Sequence, residues 1–398
     1  MTKLRAIYLT STFLTLIFAI SIINLLKGTT NLSVYENRNL EARPGFQAIK
    51  NGDFASKYEK YYADQFILRD DINEFSTKID LLRGKSFVRD MYIAKDNWLL
   101  PQMDLIENNV PYLAELATKQ KEFANALNAQ GKSFHMVITP YRGIVMRHLY
   151  PDYATGMDIL PDKLKIYKTQ LDANNTSYTS LDDYFLNNFD KKALESLYFK
   201  TDHHWNIFGA YEGFKYIMKN LGDVNHEYKN ITIDDNNYVK IYVTDKVFRG
   251  SHSTNLYNLL DYNEPVPMMY NKNNPNYEVY IYENGNFTKK KPEELLYSSR
   301  NSKTITYEGA YTLGLACYKI VNKSAQTDKK ILIFRDSYQS PTVQFFADVF
   351  KEVIVIDPRY VDDVKINAKE MAFSLDVDIV MPMFMTQTLE ELTSDMLR

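Results

Sequence analysis

Apolar runs and helically spaced apolar positions alternate along most of this chain. Continuous apolar runs predict buried strands within residues 133–139, 331–334 and 377–383. Residues 110–129 instead repeat apolar side chains at the spacing of an amphipathic helix. Because strand and helix segments follow one another in turn, the pattern predicts an α/β domain whose parallel sheet is covered on both faces.

The pattern changes between residues 222 and 329. Polar and apolar residues alternate in Tyr238–Val243 and Tyr277–Tyr282, which predicts antiparallel strands inserted into the sheet domain. Such a mainly β insertion either shapes a polymer-binding surface or serves as a lid or packing element. The pattern alone does not distinguish these roles.

The first residues of the chain predict a membrane anchor. Ala6–Leu26 contains no charged residue, and roughly 20 apolar residues suffice to cross a bilayer. The segment ends without the small residues of a cleavage site, so we expect an uncleaved signal anchor. Lys3 and Arg5 precede it, which favours a cytoplasmic amino terminus with the rest of the chain outside.

Three regions are therefore predicted. Residues 1–27 form a cytoplasmic stub and transmembrane anchor, residues 28–90 a tether followed by packing helices, and residues 91–398 the α/β domain with its insertion at 222–329. In the second region four aromatic residues recur at helical spacing: Phe54, Tyr58, Tyr61 and Tyr62.

Charge and cysteine content narrow the function classes. A net charge of −3 and a pI near 6.1 argue against a nucleic-acid binder, which normally carries a basic patch. Cys317 is the single cysteine, so no intramolecular disulfide exists, and its apolar neighbours predict a core position. The 31 tyrosines suit stacking on sugar rings, but a genomic bias toward Tyr, Asn, Lys and Ile codons is the favoured explanation.

The candidate chemistry begins at Asp202-His203-His204-Trp205, directly before a predicted helix. In an extended loop alternate side chains point the same way, so Asp202 can reach one ring nitrogen of His204 and leave the other free. His203 is expected to face away. The helix is predicted from its apolar positions Ile207, Tyr211, Phe214, Ile217, Met218 and Leu221.

A nucleophile is predicted far downstream, where the apolar strand at residues 331–334 ends in Arg335-Asp336-Ser337. Sites in open α/β sheets form at the carboxyl ends of strands. A serine hydroxyl needs a base to take its proton and a third group to orient that base. Ser337, His204 and Asp202 are thus the candidate catalytic residues.

These segments resemble the DHHW proteins of the alginate O-acetyltransferase-like branch of the SGNH-hydrolase superfamily. In that branch an Asp-x-His-Trp segment precedes the nucleophile serine, as Asp202–Trp205 precedes Ser337 here. The usual glycine before Asp-Ser is Arg335 in this chain. Further similarity lies in Glu36–Leu40, Tyr62–Arg69, Tyr92–Leu99 and Ile138–Arg142.

The resemblance implies a flavodoxin-like, three-layer α/β/α SGNH-hydrolase-like domain with Asp202, His204 and Ser337 as its triad. It implies a membrane-anchored, extracytoplasmic enzyme that transfers acetyl groups to a cell-surface or secreted polysaccharide, without metal or cofactor. A membrane-bound O-acyltransferase is the implied partner that hands acetyl groups across the membrane. No nucleic acid is expected.

Alternatives stay open at this point. The same triad serves a polysaccharide O-acetylesterase, and Arg335 is compatible with a non-catalytic carbohydrate-binding assembly protein on the same scaffold. Asp202 and His204 are also explained as a structural pair beside a helix cap, and Ser337 as a cap. A metal site is disfavoured because neighbouring histidines are expected to point apart.

Secondary roles are assigned to four further residues. Arg359, after the next predicted strand, is a candidate to bind a carboxylate or oxyanion, although an ordinary ion pair explains it as well. Tyr338 is a candidate substrate contact, and His252 a candidate lining residue within the insertion. Trp205 is expected to clamp the loop as an apolar anchor.

Overall fold

The computed structural model describes residues 3–398 except 37, 104–109, 156–158, 261, 263 and 274. Asn37, in the motif Glu36–Leu40, therefore lies outside the described residues. The chain divides into two compact units, one of residues 1–90 with 251–261 and the other of residues 91–250 with 262–398.

The first unit begins with the helix Lys3–Leu26, which has a mean hydropathy of 2.1 and no residue buried. By length and composition this helix is able to cross a membrane. The remaining elements are the helices Phe46–Asn51, Phe54–Asp64, Arg69–Leu82 and Ser251–Asn255 and the short strands Leu32–Ser33, Arg38–Asn39 and Phe87–Val88.

Ion pairs join two of the similarity segments within this unit. Glu36 accepts from Arg69 at 2.6 Å and from Arg89 at 2.9 Å, and Arg38 pairs with Asp64 at 2.6 Å. These hydrogen-bonded cations lower the pKa of Glu36 despite its partial burial. The motif residues near 36 and 69 therefore have a structural role in this unit.

A nine-stranded sheet forms the centre of the second unit. Its strands are β1 Ser133–Phe134, β2 Met136–Thr139, β3 Tyr178–Ser180, β4 Glu278–Glu283, β5 Asn286–Lys290, β6 Cys317–Val321, β7 Thr327–Arg335, β8 Phe350–Ile356 and β9 Ile379–Met385. Their order is β5-β4-β6-β8-β7-β9-β2-β3, and β1 also pairs with β9. Strands β8, β7, β9, β2 and β3 are parallel, and the apolar runs of the first four are buried on both faces.

The insertion completes this sheet. Strands β4, β5 and β6 add to it in antiparallel fashion through β6 and β8. A separate antiparallel pair consists of Tyr238–Val243 and Val266–Asn271. Both predicted antiparallel strands are confirmed. The one near residues 277–282 is β4, which together with β6 extends the sheet and covers the edge of β8, whereas Tyr238–Val243 belongs to the separate pair.

Helices pack in two groups, as a three-layer α/β/α domain requires. One group contains Val110–Ala129, Leu160–Ala173, Ala368–Ser374 and Leu389–Leu397, and the other contains α1 Leu181–Asn188, α2 Ile207–Val224 and α3 Val343–Val349. The other helices of this unit are Arg142–Val145, Asp152–Thr155, Lys191–Ser196 and Tyr307–Ala310. Short strands lie at Met91–Ile93, Leu99–Pro101, Val247–Phe248 and Thr304–Ile305.

The predicted α/β fold class is confirmed, but one helix is shorter than expected. A continuous helix over residues 338–350 is predicted from sequence, whereas the structure has a 3-10 turn at Ser337–Gln339 and then α3. Pro341 lies between them, and its ring and missing N–H interrupt a helix. This break leaves Ser337 in a tight turn of its own.

Candidate active site

Ser337 lies just beyond the carboxyl end of β7, a central strand of the sheet. Residues 331–334 of β7 are fully enclosed by β8 and β9, and Asp336 follows at the carboxyl edge. The Asp336 carboxylate accepts from the backbone N–H of Tyr338 at 3.0 Å and of Met385 at 2.6 Å. Asp336 therefore holds the serine turn against the end of β9.

The aspartate and histidine come from the loop before α2. Asn206 caps this helix by accepting from the N–H groups of Phe208 and Gly209 at 2.9 and 3.3 Å. The indole Nε1 of buried Trp205 donates to the carbonyl of Tyr338 at 2.6 Å. Trp205 thus anchors the loop directly to the turn that carries Ser337.

Three side chains form one hydrogen-bonded line. The Nδ1 of His204 lies 2.5 Å from Oδ1 of Asp202, and its Nε2 lies 2.9 Å from Oγ of Ser337. Asp202 Oδ1 also accepts the backbone N–H of His204 at 3.1 Å. Asp202 is 2% and His204 4% exposed, so this pair is shielded from bulk water, whereas Ser337 is partly exposed.

Tyr307 fixes the plane of the imidazole. Its ring stacks on that of His204 with centroids 3.7 Å apart and an interplanar angle of 5°. The Tyr307 hydroxyl donates to the Tyr338 carbonyl at 3.1 Å, and burial raises its pKa well above the ordinary value. Tyr307 therefore remains a neutral hydrogen-bond donor and packing surface beneath the histidine.

Arg142 holds the backbone of the same loop. Its fully buried guanidinium donates to the carbonyls of Asp202 and, at 3.1 Å, of Lys200, and lies 5.0 Å from the ring centroid of Trp98. Burial lowers the pKa of Arg142, but an arginine keeps its charge under these conditions. Arg142 is a positioning residue for Asp202.

Glu264 satisfies the N–H groups on the other side of this loop. Its carboxylate accepts from the backbone N–H of Lys200 at 2.6 Å and of Thr201 at 3.1 Å, and from the Thr201 hydroxyl at 2.5 Å. Burial raises the pKa of Glu264. The loop is thus held by a cation at its carbonyls and a carboxyl group at its amides.

The expected orientation of His203 is wrong. Its Nδ1 lies 3.7 Å from Oδ1 of Asp202, and its ring centroid is 3.6 Å from that of His204. Residues 201–204 are a series of bends, so the alternation of an extended strand does not apply. Both histidines consequently lie on the side of Asp202.

This arrangement brings three groups with metal-ligating atoms, Asp202, His203 and His204, within 4.8 Å of one another. The orientation argument against a metal therefore does not hold, but another one does. Two ligands about 2.1 Å from a tetrahedral zinc ion lie about 3.4 Å apart. The 2.5 Å between Asp202 and His204 is a hydrogen-bond distance, which fits a shared proton.

The candidate substrate residues have observed partners. Arg359 makes two hydrogen bonds to the buried Asp357, at 2.9 and 2.6 Å, which matches the ordinary ion-pair interpretation. Tyr338 is fully buried, and its hydroxyl donates to the His203 carbonyl at 2.6 Å. Substrate contact by Arg359 and Tyr338 stays a prediction.

Three further positions clarify the sequence interpretation. Arg335, in place of glycine, is fully buried and donates to Ser340 Oγ and the Leu313 carbonyl, each at 2.7 Å. Cys317 is buried in β6 as predicted, and burial raises its pKa to about 12. His252 is buried within the first unit.

Sequence reasoning missed Tyr307 and Glu264 as parts of the site. Arg142 carried a signal, since it ends the similarity segment Ile138–Arg142, but its role as an anchor of the Asp202 loop was not expected. Tyr307 and Glu264 lie in the insertion among many tyrosines and carboxylates. Nothing in their local sequence distinguishes them.

Residues 91–251 match the family model described as SGNH hydrolase-like domain, acetyltransferase AlgX. The resemblance to the SGNH-hydrolase superfamily is confirmed. The matched range includes Asp202 and His204 but ends before Ser337. The serine is therefore joined to this SGNH-like domain by the three-dimensional structure and by residue order, not by the family match.

The alginate biosynthesis protein AlgX of Pseudomonas aeruginosa is 25% identical over 186 residues, which are 46% of this chain and 35% of that protein. The chain thus spans about a third of the length of this curated relative. Such a match indicates a shared domain. It does not transfer the activity of the whole relative.

Solved structures show the same fold over most of the chain. PatB1 of Bacillus cereus has a TM-score of 0.64 at 23% identity, covering 76% of this chain and 97% of PatB1. PatB1 with a sulfonyl adduct has a TM-score of 0.67 at 21% identity, covering 78% and 99%. A DHHW family protein from Eubacterium siraeum has a TM-score of 0.55 at 17% identity, covering 77% and 96%.

Proposed function

We propose that this protein is an extracytoplasmic O-acetyltransferase that acetylates a polysaccharide through Ser337, His204 and Asp202. The observation that carries the proposal is the continuous hydrogen-bonded line from the Asp202 carboxylate through His204 to the Ser337 hydroxyl. The SGNH hydrolase-like acetyltransferase match over residues 91–251 supports the reaction class.

The first half-reaction forms an acetyl-enzyme. Ser337 Oγ attacks the acetyl carbonyl of the donor while its proton passes to Nε2 of His204. Asp202 keeps the Nδ1 proton in place and stabilises the imidazolium that forms. The tetrahedral intermediate then collapses, and the protonated His204 returns the proton to the departing oxygen of the donor.

The second half-reaction transfers the acetyl group. A sugar hydroxyl attacks the ester carbonyl of acetyl-Ser337 as His204 Nε2 takes its proton, and the proton finally returns to Ser337 Oγ. Water in place of the sugar hydroxyl gives an esterase by the same steps. The rings of Tyr307 and His203 lie against the imidazole, with centroids 3.7 and 3.6 Å away, and both reactions use its Nε2.

Covalent labelling tests the nucleophile. The full-length chain in detergent micelles is treated with an aromatic sulfonyl fluoride, the reagent class suggested by the sulfonyl adduct of PatB1. We expect one adduct on the peptide containing Ser337, none in Ser337→Ala, and an unchanged yield in the exposed-serine control Ser298→Ala. Labelling elsewhere, or full labelling of Ser337→Ala, contradicts the proposal.

Partition between acceptors tests the reaction. With a chromogenic acetyl ester as donor, adding an oligosaccharide is expected to yield a product whose mass increases by one acetyl group, at a rate above that of acetate release. If acetate is the sole product with every oligosaccharide added, the protein is an O-acetylesterase. Absence of both products in a folded chain supports the non-catalytic assembly protein.

The membrane placement is part of the same proposal. We propose a single-pass anchor at Lys3–Leu26, with a cytoplasmic amino terminus and the second unit outside, next to a membrane-bound O-acyltransferase that supplies acetyl groups. Alkaline phosphatase fused after Arg398 is expected to be active, because it folds only outside the cytoplasm. An inactive but intact fusion would contradict this topology.

A further inference from the structure

A cavity with a lining that differs from the triad lies between the insertion and α3. It has a volume of about 360 Å³, and small-molecule sites in proteins usually fall between about 300 and 1,000 Å³. Four tyrosines line it: Tyr238, Tyr270, Tyr277 and Tyr297. Among the residues that the structure describes, the lining of this cavity contains none of the triad.

The antiparallel pair of the insertion brings part of this lining together. In the register of Tyr238–Val243 with Val266–Asn271, Tyr238 lies opposite Asn271 and Tyr270 lies opposite Val239. The rings of Tyr270 and Tyr297 then meet with centroids 5.3 Å apart. Aromatic residues distant in sequence are thus gathered at one end of this two-stranded ribbon.

Hydrogen bonds hold three of these tyrosines in place. Tyr238 donates to Oδ2 of Asp348 at 2.7 Å, and Tyr277 donates to Oδ1 of the same carboxylate. Tyr297 donates to Oε1 of Gln344. Because these hydroxyls are anchored to α3, the rings form a fixed wall and lose little conformational entropy when a ligand binds.

The cavity lining retains hydrogen-bonding capacity for a ligand. Gln344 is 8% exposed, and its Nε2 has no hydrogen-bond partner among the described residues. An aromatic wall with an unpaired amide donor is a composition that recognises a ring bearing hydroxyl groups.

Charges on the rim favour a neutral ligand. The cavity is lined by one exposed cation, Arg300, and one exposed carboxylate, Glu293, which compensate each other. At its base is the buried Asp348, and burial raises the pKa of this carboxyl. The carboxylate of an anionic sugar would be repelled by this group whenever Asp348 is ionised, whereas a neutral sugar has no charge to be repelled.

A neighbouring cavity of about 490 Å³ shares Tyr238, Asn271, Pro275 and Asp348 with the first. Its other lining residues are mostly amides and hydroxyls, among them Asn237, Asn273, Asn322 and Gln326. We propose that the two cavities together bind consecutive units of a neutral glycan, with a pyranose ring held in the tyrosine-lined one. This binding site goes beyond the proposed reaction and does not require the triad to be catalytic.

Calorimetric titration of the full-length chain in nanodiscs, without an acetyl donor, tests this site. The probes are cellohexaose and chitohexaose as neutral glycans and hexagalacturonate as an anionic one. We expect at least one neutral hexasaccharide to bind and hexagalacturonate to bind at least about tenfold more weakly. Failure of both neutral probes at about 10 mM, or preference for hexagalacturonate, overturns the proposal.

Matched variants locate the binding. Tyr270→Ala is expected to raise the Kd at least about tenfold, whereas Tyr242→Ala, on the partner strand but outside the lining, is expected to change it less than about twofold. Tyr270→Leu keeps apolar bulk without the flat ring and is expected to match Tyr270→Ala. Wild-type affinity in a folded Tyr270→Leu chain overturns the assignment of this cavity.

Discussion

Two buried carboxylates of the second unit are each hydrogen-bonded to aromatic rings but have different chemical consequences. Asp202 is hydrogen-bonded to the imidazole of His204, whose other ring nitrogen is hydrogen-bonded to Ser337. Asp348 binds the phenols of Tyr238 and Tyr277, whose pKa values burial raises far above neutrality. An imidazole accepts and returns protons near neutral pH and a phenol does not. The group that the carboxylate binds, an imidazole or a phenol, therefore distinguishes the proposed proton relay from the proposed binding wall.

The strongest test of this contrast is Asp202→Asn. The amide keeps the size of the side chain but favours the wrong tautomer of His204, so we expect kcat for a chromogenic acetyl ester to fall about 10⁴-fold. The free energy of unfolding is expected to change little. Asp363→Asn, at an exposed carboxylate, is the control. A loss below about tenfold would show that Asp202 is not part of the relay.

The second test concerns the group that holds Asp202. Arg142→Lys keeps a positive charge but loses the fork that spans the carbonyls of Lys200 and Asp202. Because misplacement by about 1 Å costs about 10²-fold, we expect kcat to fall by that factor with KM nearly unchanged. Arg83→Lys, at an exposed arginine, is the control. Equal changes in KM and kcat/KM, with kcat unchanged, would contradict positioning.

The third test removes the other carboxylate. Asp348→Ala leaves the hydroxyls of Tyr238 and Tyr277 without their acceptor in a buried place, and we expect the free energy of unfolding to fall by about 3 kcal/mol. Chemical denaturation measures this value. An unchanged midpoint and slope would mean that water replaces the carboxylate, so that Asp348 does not hold the tyrosine wall.

The smallest expected effect is a pH dependence. Burial raises the folded-state pKa of Asp348 above the ordinary 3.8. The folded chain then binds more protons than the unfolded one, so this group's contribution to stability falls as pH rises from about 3.8 through the raised pKa. We expect Asp348→Asn to remove this contribution to the pH dependence of the free energy of unfolding.

Other buried groups also make the free energy of unfolding depend on pH. Their contributions are the same in the variant and the wild type, so they cancel in the difference between the two chains. Burial raises the pKa of Asp182 to about 7, which gives the same sign as Asp348, and lowers that of His135 to about 4, which gives the opposite sign. Denaturation of both chains at several pH values measures the difference. Parallel curves would contradict the raised pKa of Asp348.

Much of the architecture follows from local patterns. The continuous apolar run at residues 331–334 predicts a doubly buried strand because only such a strand removes every side chain from water. The alternation in Tyr238–Val243 correctly predicts an antiparallel strand with the same bounds. The helix predicted after Ser337 was too long, because the effect of Pro341 competes with a favourable apolar spacing.

Local patterns were less informative at the site itself. The orientation of His203 depended on whether its loop is extended or bent. That is decided by Arg142 and Glu264 from two other segments, and by the hydrogen bond from Trp205 in the loop itself to the Tyr338 carbonyl. The stacking of Tyr307 on His204 likewise depends on a residue more than a hundred positions away. Short-range periodicity contains no information on such contacts.

By itself the sequence determined the α/β class, the apolar amino-terminal helix and the order of the chemically distinctive residues, because these follow from hydrophobic spacing and residue type. Only the tertiary structure decided which atoms meet: Ser337 with His204, Arg142 with the Asp202 carbonyl, and four tyrosines around one cavity. The physical reason is that contacts between distant segments arise from strand order and packing. Each element's own pattern specifies which face is buried, and the assembled sheet specifies what that face meets.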